Sequence, residues 1–125
     1  GMRGIRRMGQ QLLKLERDPV QCEKYLPLYL GHIVRMQEEI GTGGAGFRFI
    51  YAAFLRESSK MLESAALKEA ATAMTEAGDH WRLFALRASK MCKGREKMDA
   101  ALLDGILNGC ADREVLAWKI LSGIK

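Results

Sequence analysis

The segment GTGGAGFRFIYAAFLRE, residues 41–57, organises the rest of the chain. Its run of glycines ends one helix, because glycine is favoured just past a helix C-terminus. The following residues predict an amphipathic helix whose apolar stripe faces the core. That stripe consists of Phe47, Ile50, Tyr51, Phe54, Leu55 and Met61.

Helical patterns also precede the glycine run. Residues 3–17 place apolar side chains three or four positions apart, which predicts a first helix. Asp18 and Pro19 then predict a new helix start, with Asp18 as the N-cap and Pro19 at the first helical position. Pro27 predicts a kink, or a short helix before residue 26 and the main helix after it.

Downstream of Leu62 the pattern stays helical. Ser64 is a suitable N-cap for a long helix over 65–92, either continuous or bent at Gly78. Residues 95–108 predict a further helix, Asn108-Gly109 a stop, and Asp112 the N-cap of a last helix. Alternating strand patterns do not occur. We therefore predict an all-α fold, an irregular bundle of five to six helices in one domain over 1–125, with Gly1 a scar of tag removal.

Composition narrows the class of protein. The 125 residues carry a net charge of +5 and 48% hydrophobic residues, which is typical of a globular domain. The three cysteines are scattered and form no Cys-x-x-Cys, which favours reduced thiols in a cytoplasmic protein. No apolar run approaches the ~20 residues of a membrane span, so we expect no membrane association.

The glycine run satisfies G-x-G-x-x-G, but a dinucleotide site needs a strand before the glycines, and a helix is predicted there. A Walker A loop is excluded because Gly-Lys-Ser/Thr is missing. Two interpretations remain. The backbone N–H groups near Gly43, Gly44 and Gly46 bind an anion together with the Arg48 guanidinium, or the glycines form a tight helix connection, which we favour.

Arg48, Tyr51 and Glu57 lie beside the aromatic stripe and, with Phe47 and the glycines, form our candidate ligand-binding set. The alternative is that Arg48 is structural and pairs with an acidic residue near the turn, which we consider the better interpretation. The acidic candidates are Glu38, Glu39 and Glu57.

Catalytic, metal and cofactor sites are not predicted. Glu76 and His80 share a helix face, but a di-metal carboxylate bundle needs two Glu-x-x-His motifs, and there are none. The cysteines lack a pattern that pairs them with a histidine as a nucleophile, so buried structural thiols are expected.

A basic segment around Lys90, Lys93, Arg95 and Lys97 leaves nucleic-acid binding as an alternative function. It carries no helix-turn-helix signature and no aromatic stacking pattern. We therefore expect nucleic acid not to be the partner.

Residues 41–57 resemble the helical C-terminal domain, a domain of unknown function, of butirosin biosynthesis protein H-like proteins. The shared pattern is GTGG at 41–44, Phe47-Arg48, Tyr51-Ala52 and Phe54-Leu55-Arg56-Glu57. The resemblance extends over about residues 26–90, where Trp81 fits a tryptophan-bearing helix.

The resemblance implies a companion to an acyltransferase half, in which a cysteine with a nearby histidine moves an acyl group from a carrier protein onto an amine. Cys22 lacks that context, so the nucleophile is not carried over. We expect a non-catalytic accessory or ligand-binding domain whose partners are an acyltransferase-like protein or domain, an acyl-carrier protein or a second copy. The rival hypothesis is that the glycine turn binds a phosphate or acyl-carrier group and completes an acyl-transfer site in trans.

Overall fold

The computed structural model describes residues 2–38 and 44–124. Within these ranges the chain forms six α-helices and no strand, which confirms the all-α prediction. The helices are α1 (Met2–Arg17), α2 (Pro19–Lys24), α3 (Leu26–Glu38), α4 (Gly44–Leu62), α5 (Ala65–Cys92) and α6 (Ala100–Ser122). None of the helices in the described part of the chain is long and apolar enough to cross a membrane.

The predicted helix starts at Asp18 and Ser64 are confirmed. The Asp18 carboxylate accepts hydrogen bonds from the N–H groups of Val20 and Gln21, at 3.0 and 3.4 Å, and Pro19 occupies the first turn. Ser64 Oγ accepts from Leu67 N at 3.3 Å. These side chains satisfy backbone donors that the first turn of a helix leaves unpaired.

Pro27 lies in the first turn of α3, after α2 has ended at Lys24. The chain thus adopts the second of the two predicted arrangements, since proline fits a first turn without the loss of a hydrogen bond. Helix α5 is continuous through Gly78, so of the two predicted forms of this helix the uninterrupted one is correct.

The predicted stop at Asn108-Gly109 is wrong, because α6 continues through it. Gly109 serves close packing instead: a Cβ there would lie 2.6 Å from Cδ2 of the His80 ring on α5. Asp112 does not start a helix; its carboxylate accepts a 2.8 Å hydrogen bond from Arg6 Nη2 on α1. The N-cap of α6 is Asp99, which accepts from Leu102 N at 3.0 Å.

Helix α5 is the centre of the bundle and packs on α4 and α6, while α1 packs on α6. Its buried residues include Ala71, Met74, Gly78, Trp81 and Ala88. The first helix is tied to the last at both ends: Arg6 Nη1 donates to Asn108 Oδ1 at 3.0 Å, and Glu16 Oε2 accepts from Ala100 N at 2.7 Å. The core lies between α1, α3, α5 and α6.

The structure corrects the prediction that the whole apolar stripe of α4 faces the core. Leu55 is buried, but Ile50, Phe54 and Met61 are 73%, 61% and 83% exposed. The inner side of α4 consists of Arg48, Ala52, Leu55 and Ser59, which lie on one helix face at three- and four-residue intervals. We call Ile50, Phe54 and Met61 the outer stripe.

Candidate functional site

Three long helices meet at Arg48 of α4, Trp81 of α5 and Glu114 of α6. Arg48 Nε donates a hydrogen bond to Glu114 Oε1. The guanidinium carbon lies 4.6 Å from the centroid of the Trp81 ring, and Trp81 Nε1 donates to the same carboxylate oxygen at 3.4 Å. One carboxylate thus receives donors from two other helices, and an indole ring covers the cation.

This cluster is nearly closed to solvent. The side chains of Arg48 and Glu114 are 16% and 10% exposed, and Trp81 is 3% exposed. A buried ion pair adds little net stability over apolar residues, but removal of one partner leaves an unpaired buried charge. The cluster therefore fixes how α4, α5 and α6 pack against one another.

Cys110 precedes Glu114 by one helical turn and is fully buried. Burial raises the pKa of its thiol to about 12, with the Arg48 charge lowering it and the Glu114 charge raising it further. Because the thiolate is the nucleophilic form, a thiol that stays protonated near neutral pH is not reactive. The cluster thus has no activated nucleophile at this cysteine.

The predicted candidate residues divide into those the structure describes and those it does not. Gly43 lies outside the described residues, as does the core of the glycine turn. Gly44 is the first residue of α4 and Gly46 follows in the first turn. The side chain of Phe47 is outside the description, so anion binding at this turn stays a prediction.

Arg48 has a structural partner, as we favoured, and among the described residues this partner is Glu114 on the last helix. Of the proposed partners, Glu57 lies 3.6 Å from Lys60 and is 72% exposed. A separation of nine residues along a helix is two and a half turns, so the side chains of Arg48 and Glu57 point in opposite directions. The side chains of Glu38 and Glu39 are not among those described.

Tyr51 lies between the inner side of α4 and the outer stripe. Its ring centroid is 5.7 Å from that of Trp118 on α6 and 6.1 Å from that of Phe54. Trp118 is 42% exposed. The three rings therefore join α4 and α6 in one surface that continues the outer stripe.

Sequence reasoning missed Glu114 and Trp118. Glu114 belongs to the buried face of α6 that carries Leu103, Leu107, Cys110 and Ala117, at spacings of three and four. A single charged residue in such a register indicates a buried ion pair. The signal was hidden because the predicted stop at Asn108-Gly109 divided this face between two helices.

His80, and Arg87 beside the basic segment, have structural partners. His80 Nδ1 lies 2.8 Å from the carbonyl oxygen of Glu76, whose carboxylate accepts from Arg113 Nε at 2.8 Å. Arg87 Nε donates to both carboxylate oxygens of Glu96, at 2.8 and 3.0 Å, and this bonding lowers the pKa of Glu96. Among the described residues, no group of three potential metal ligands occurs.

A family model described as a domain of unknown function (DUF4872) matches residues 1–121. The chain belongs to the DUF4872 family. The match spans all six helices of this DUF4872 domain except the last residue of α6. No curated protein and no solved structure matches the chain significantly. None of these matches links the chain to butirosin biosynthesis protein H-like proteins.

Proposed function

We propose that this DUF4872 domain is a non-catalytic accessory domain that binds an acyltransferase-like protein or domain through the outer stripe of α4. The observation that carries the proposal is the exposure of Ile50, Phe54 and Met61 on one helix face. They follow one another at intervals of four and seven residues, which is the spacing of a helix–helix contact. The rings of Tyr51 and Trp118 extend the same surface onto α6.

Helix α4 carries apolar side chains both on its inner side and on the outer stripe, where Glu57 is the charged residue between Phe54 and Met61, and apolar helix surface of this kind is usually buried. The rest of the bundle covers only the inner side of α4, so we expect a second protein to cover the outer stripe. The acyltransferase-like partner comes from the resemblance at residues 41–57, and the cytoplasmic location from the free thiols of Cys22, Cys92 and Cys110. The proposed role is to shape or support the partner's substrate pocket.

The rival role, in which the glycine turn binds a carrier phosphate, relies on Arg48 as a donor. The Arg48 guanidinium already donates to Glu114 and stacks on Trp81. An anion would have to compete with a buried carboxylate for this cation. The structural role of Arg48 therefore favours partner binding over phosphate binding.

Titration calorimetry tests the proposal with the purified acyltransferase-like half of a butirosin biosynthesis protein H-like protein as the probe. We expect binding that the triple variant Ile50→Ser, Phe54→Ser, Met61→Ser weakens by at least about 100-fold, because these side chains would form the buried centre of the interface. Val20→Ser, at an exposed apolar residue on α2, is the matched control and should leave the affinity unchanged.

Light scattering on the domain alone separates this role from self-association. A monomer that binds the acyltransferase-like probe supports the proposal. A dimer that the triple variant dissociates, without any binding of the probe, would replace it with a homodimer. Equal binding of the probe by the parent and the triple variant would also overturn it.

A further inference from the structure

One face of α1 carries a row of exposed cations. They follow one another at intervals of four, seven and three residues, which places them on one side of the helix. They are Arg3, Arg7, Lys14 and Arg17, and we call them the basic stripe. At about 1.5 Å per residue, the stripe extends over about 21 Å. The opposite side of α1 is buried in the core through Ile5 and Leu12.

The basic stripe is not neutralised by the described part of the chain. None of its four residues forms an ion pair with a described residue. Glu16, the one acidic residue of α1, is directed to α6, where its carboxylate accepts from Ala100 N at 2.7 Å. Asp18 follows Lys14 by four residues, but its carboxylate caps α2. The stripe therefore presents a line of positive potential to the solvent.

The basic stripe opposes the stability of the helix that carries it. The helix dipole favours acidic side chains in a first turn, whereas the first turn of α1 contains Arg3 and no acidic residue. Arg3 and Arg7 are like charges one turn apart, and so are Lys14 and Arg17 in the last turn, where the dipole favours them singly. Like-charge pairs at this spacing destabilise a helix. Local conflicts of this kind are expected at functional sites, so the stripe indicates a binding surface.

The positive surface is narrow on the side of α6. There Asp112 accepts from Arg6 at 2.8 Å, and the Asp104 carboxylate lies against Gly9. These carboxylates would repel a broad anionic surface, such as a nucleic-acid duplex or a membrane, that reached across both helices. Between residues 3 and 17 the exposed side chains of α1 also include no aromatic or apolar group for base stacking or membrane insertion. A narrow acidic partner therefore fits this face better than a broad one.

We propose that the basic stripe binds an acidic α-helix of a partner protein, which lies along α1. Both helices rise by the same distance per residue, so carboxylates at intervals of three, four and seven residues on the partner match all four cations. Exposed ion pairs are individually weak, so recognition depends on the match of the whole row. This inference is independent of the partner proposed for the outer stripe, because the two surfaces lie on different helices and share no residue.

Fluorescence anisotropy with helical peptides tests the inference. The probe is an alanine-rich, hydrocarbon-stapled peptide of the length of α1, whose glutamates repeat the intervals of the basic stripe. Its control has the same composition, with the glutamates distributed around the helix. At low salt we expect the matched peptide to bind at least about fivefold more tightly than the control, and added salt to weaken its binding. Equal affinity for the two peptides, or no binding of either at millimolar concentration, overturns the inference.

Duplex DNA and phosphatidylglycerol vesicles are the competing ligands. We expect both to bind more weakly than the matched peptide at physiological ionic strength, because the carboxylates of α6 oppose a broad anion. Tighter binding of either one that is lost on charge reversal of the stripe would assign the surface to nucleic acid or membrane. That result would overturn the acidic helix as the partner.

Charge reversal locates the binding surface. The double variant Arg7→Glu, Lys14→Glu should bind the matched peptide at least about tenfold more weakly, and should bind instead a peptide with lysines in place of the glutamates. The matched control is Arg56→Glu, Lys68→Glu, which changes the net charge equally at exposed positions on α4 and α5. Circular dichroism checks folding, and Arg7→Gln, Lys14→Gln is the milder variant. Equal weakening by the control would show that net charge alone attracts the peptide, which overturns the inference.

A stability measurement separates binding from packing. Arg3→Glu places a favourable charge in the first turn and an opposite charge one turn from Arg7. We therefore expect an unchanged or higher melting temperature together with weaker binding of the matched peptide. A lower melting temperature with unchanged binding would mean that the stripe serves the fold, and would overturn the inference.

Discussion

The two sides of α4 both carry apolar residues and have opposite environments. Ala52 and Leu55 on the inner side are 2% exposed each, whereas Ile50 and Met61 on the outer stripe are 73% and 83% exposed. The inner side even includes a charged residue, Arg48. The comparison teaches that, in this helix, hydrophobicity does not determine which side packs against the bundle.

Side-chain size and a specific ion pair explain the choice. Helix α5 presents small residues toward α4, among them Ala70, Ala71, Ala73 and Gly78, all buried. Small residues let two helix backbones approach closely, and Ala52 and Ser59 match them from α4. Arg48 is accommodated because Glu114 and Trp81 provide a charge partner and a ring face.

The largest expected effect on stability comes from removal of the Arg48–Glu114 ion pair on the inner side of α4. Glu114→Ala leaves the Arg48 guanidinium mostly buried without this carboxylate, so we expect a loss of about 3 kcal/mol in the free energy of unfolding. Urea denaturation followed by circular dichroism measures it. The double variant Arg48→Met, Glu114→Leu should recover most of the loss, because apolar residues of similar size replace both charges. A double variant as unstable as the single one would contradict this explanation.

A smaller effect is expected from one added methyl group between α4 and α5. In Gly78→Ala the new Cβ would lie 2.8 Å from the Phe49 ring, so the gain in helix propensity is outweighed and a net loss of about 1 kcal/mol is expected. Gly105→Ala on α6 has open space and should gain up to about 1 kcal/mol. Chemical denaturation of both variants measures these opposite signs. Stabilisation by Gly78→Ala would show that close approach does not select the inner side.

The smallest effect on stability is expected on the outer stripe. Phe54→Ser should change the free energy of unfolding by no more than about 0.5 kcal/mol, since the ring is 61% exposed. Leu55→Ser, one residue further and 2% exposed, is the matched comparison and should cost several times more. Thermal unfolding monitored by circular dichroism distinguishes them. Equal losses for the two variants would mean that the outer stripe supports the fold of the isolated domain.

Much of the fold could be predicted from interactions between residues that are close in sequence. The helix starts at Asp18 and Ser64 depend on a side chain and an N–H group two or three residues away, and sequence spacing contains that information. Gly109 was misinterpreted because a glycine that ends a helix and a glycine that fits against another helix look the same in sequence. Only the position of the His80 ring separates the two roles.

Less of the candidate site than of the fold could be predicted from the sequence. The structural role of Arg48 was predicted from the acidic residues near the glycine turn, but Glu114, its partner among the described residues, is 66 positions away. No spacing rule connects residues on different helices at that distance, so the sequence indicates only nearby acidic residues as partners. The exposure of the outer stripe was hidden for a related reason, because periodicity shows that a helix has an apolar face and does not show what packs on it.

The attachment of α1 to α6 has a consequence for the order of folding. Leu12 is fully buried in the core shared by these helices, and Glu16 caps the start of α6 across 84 positions of sequence. Helix α1 therefore emerges from the ribosome long before its binding surface on α6 exists. It docks on α6 only after that helix has been synthesised. Closure of so long a segment is entropically costly and slow compared with helix formation. During synthesis the apolar side of α1 stays open to water, so nascent chains that lack α6 are the species most exposed to chaperones and proteases.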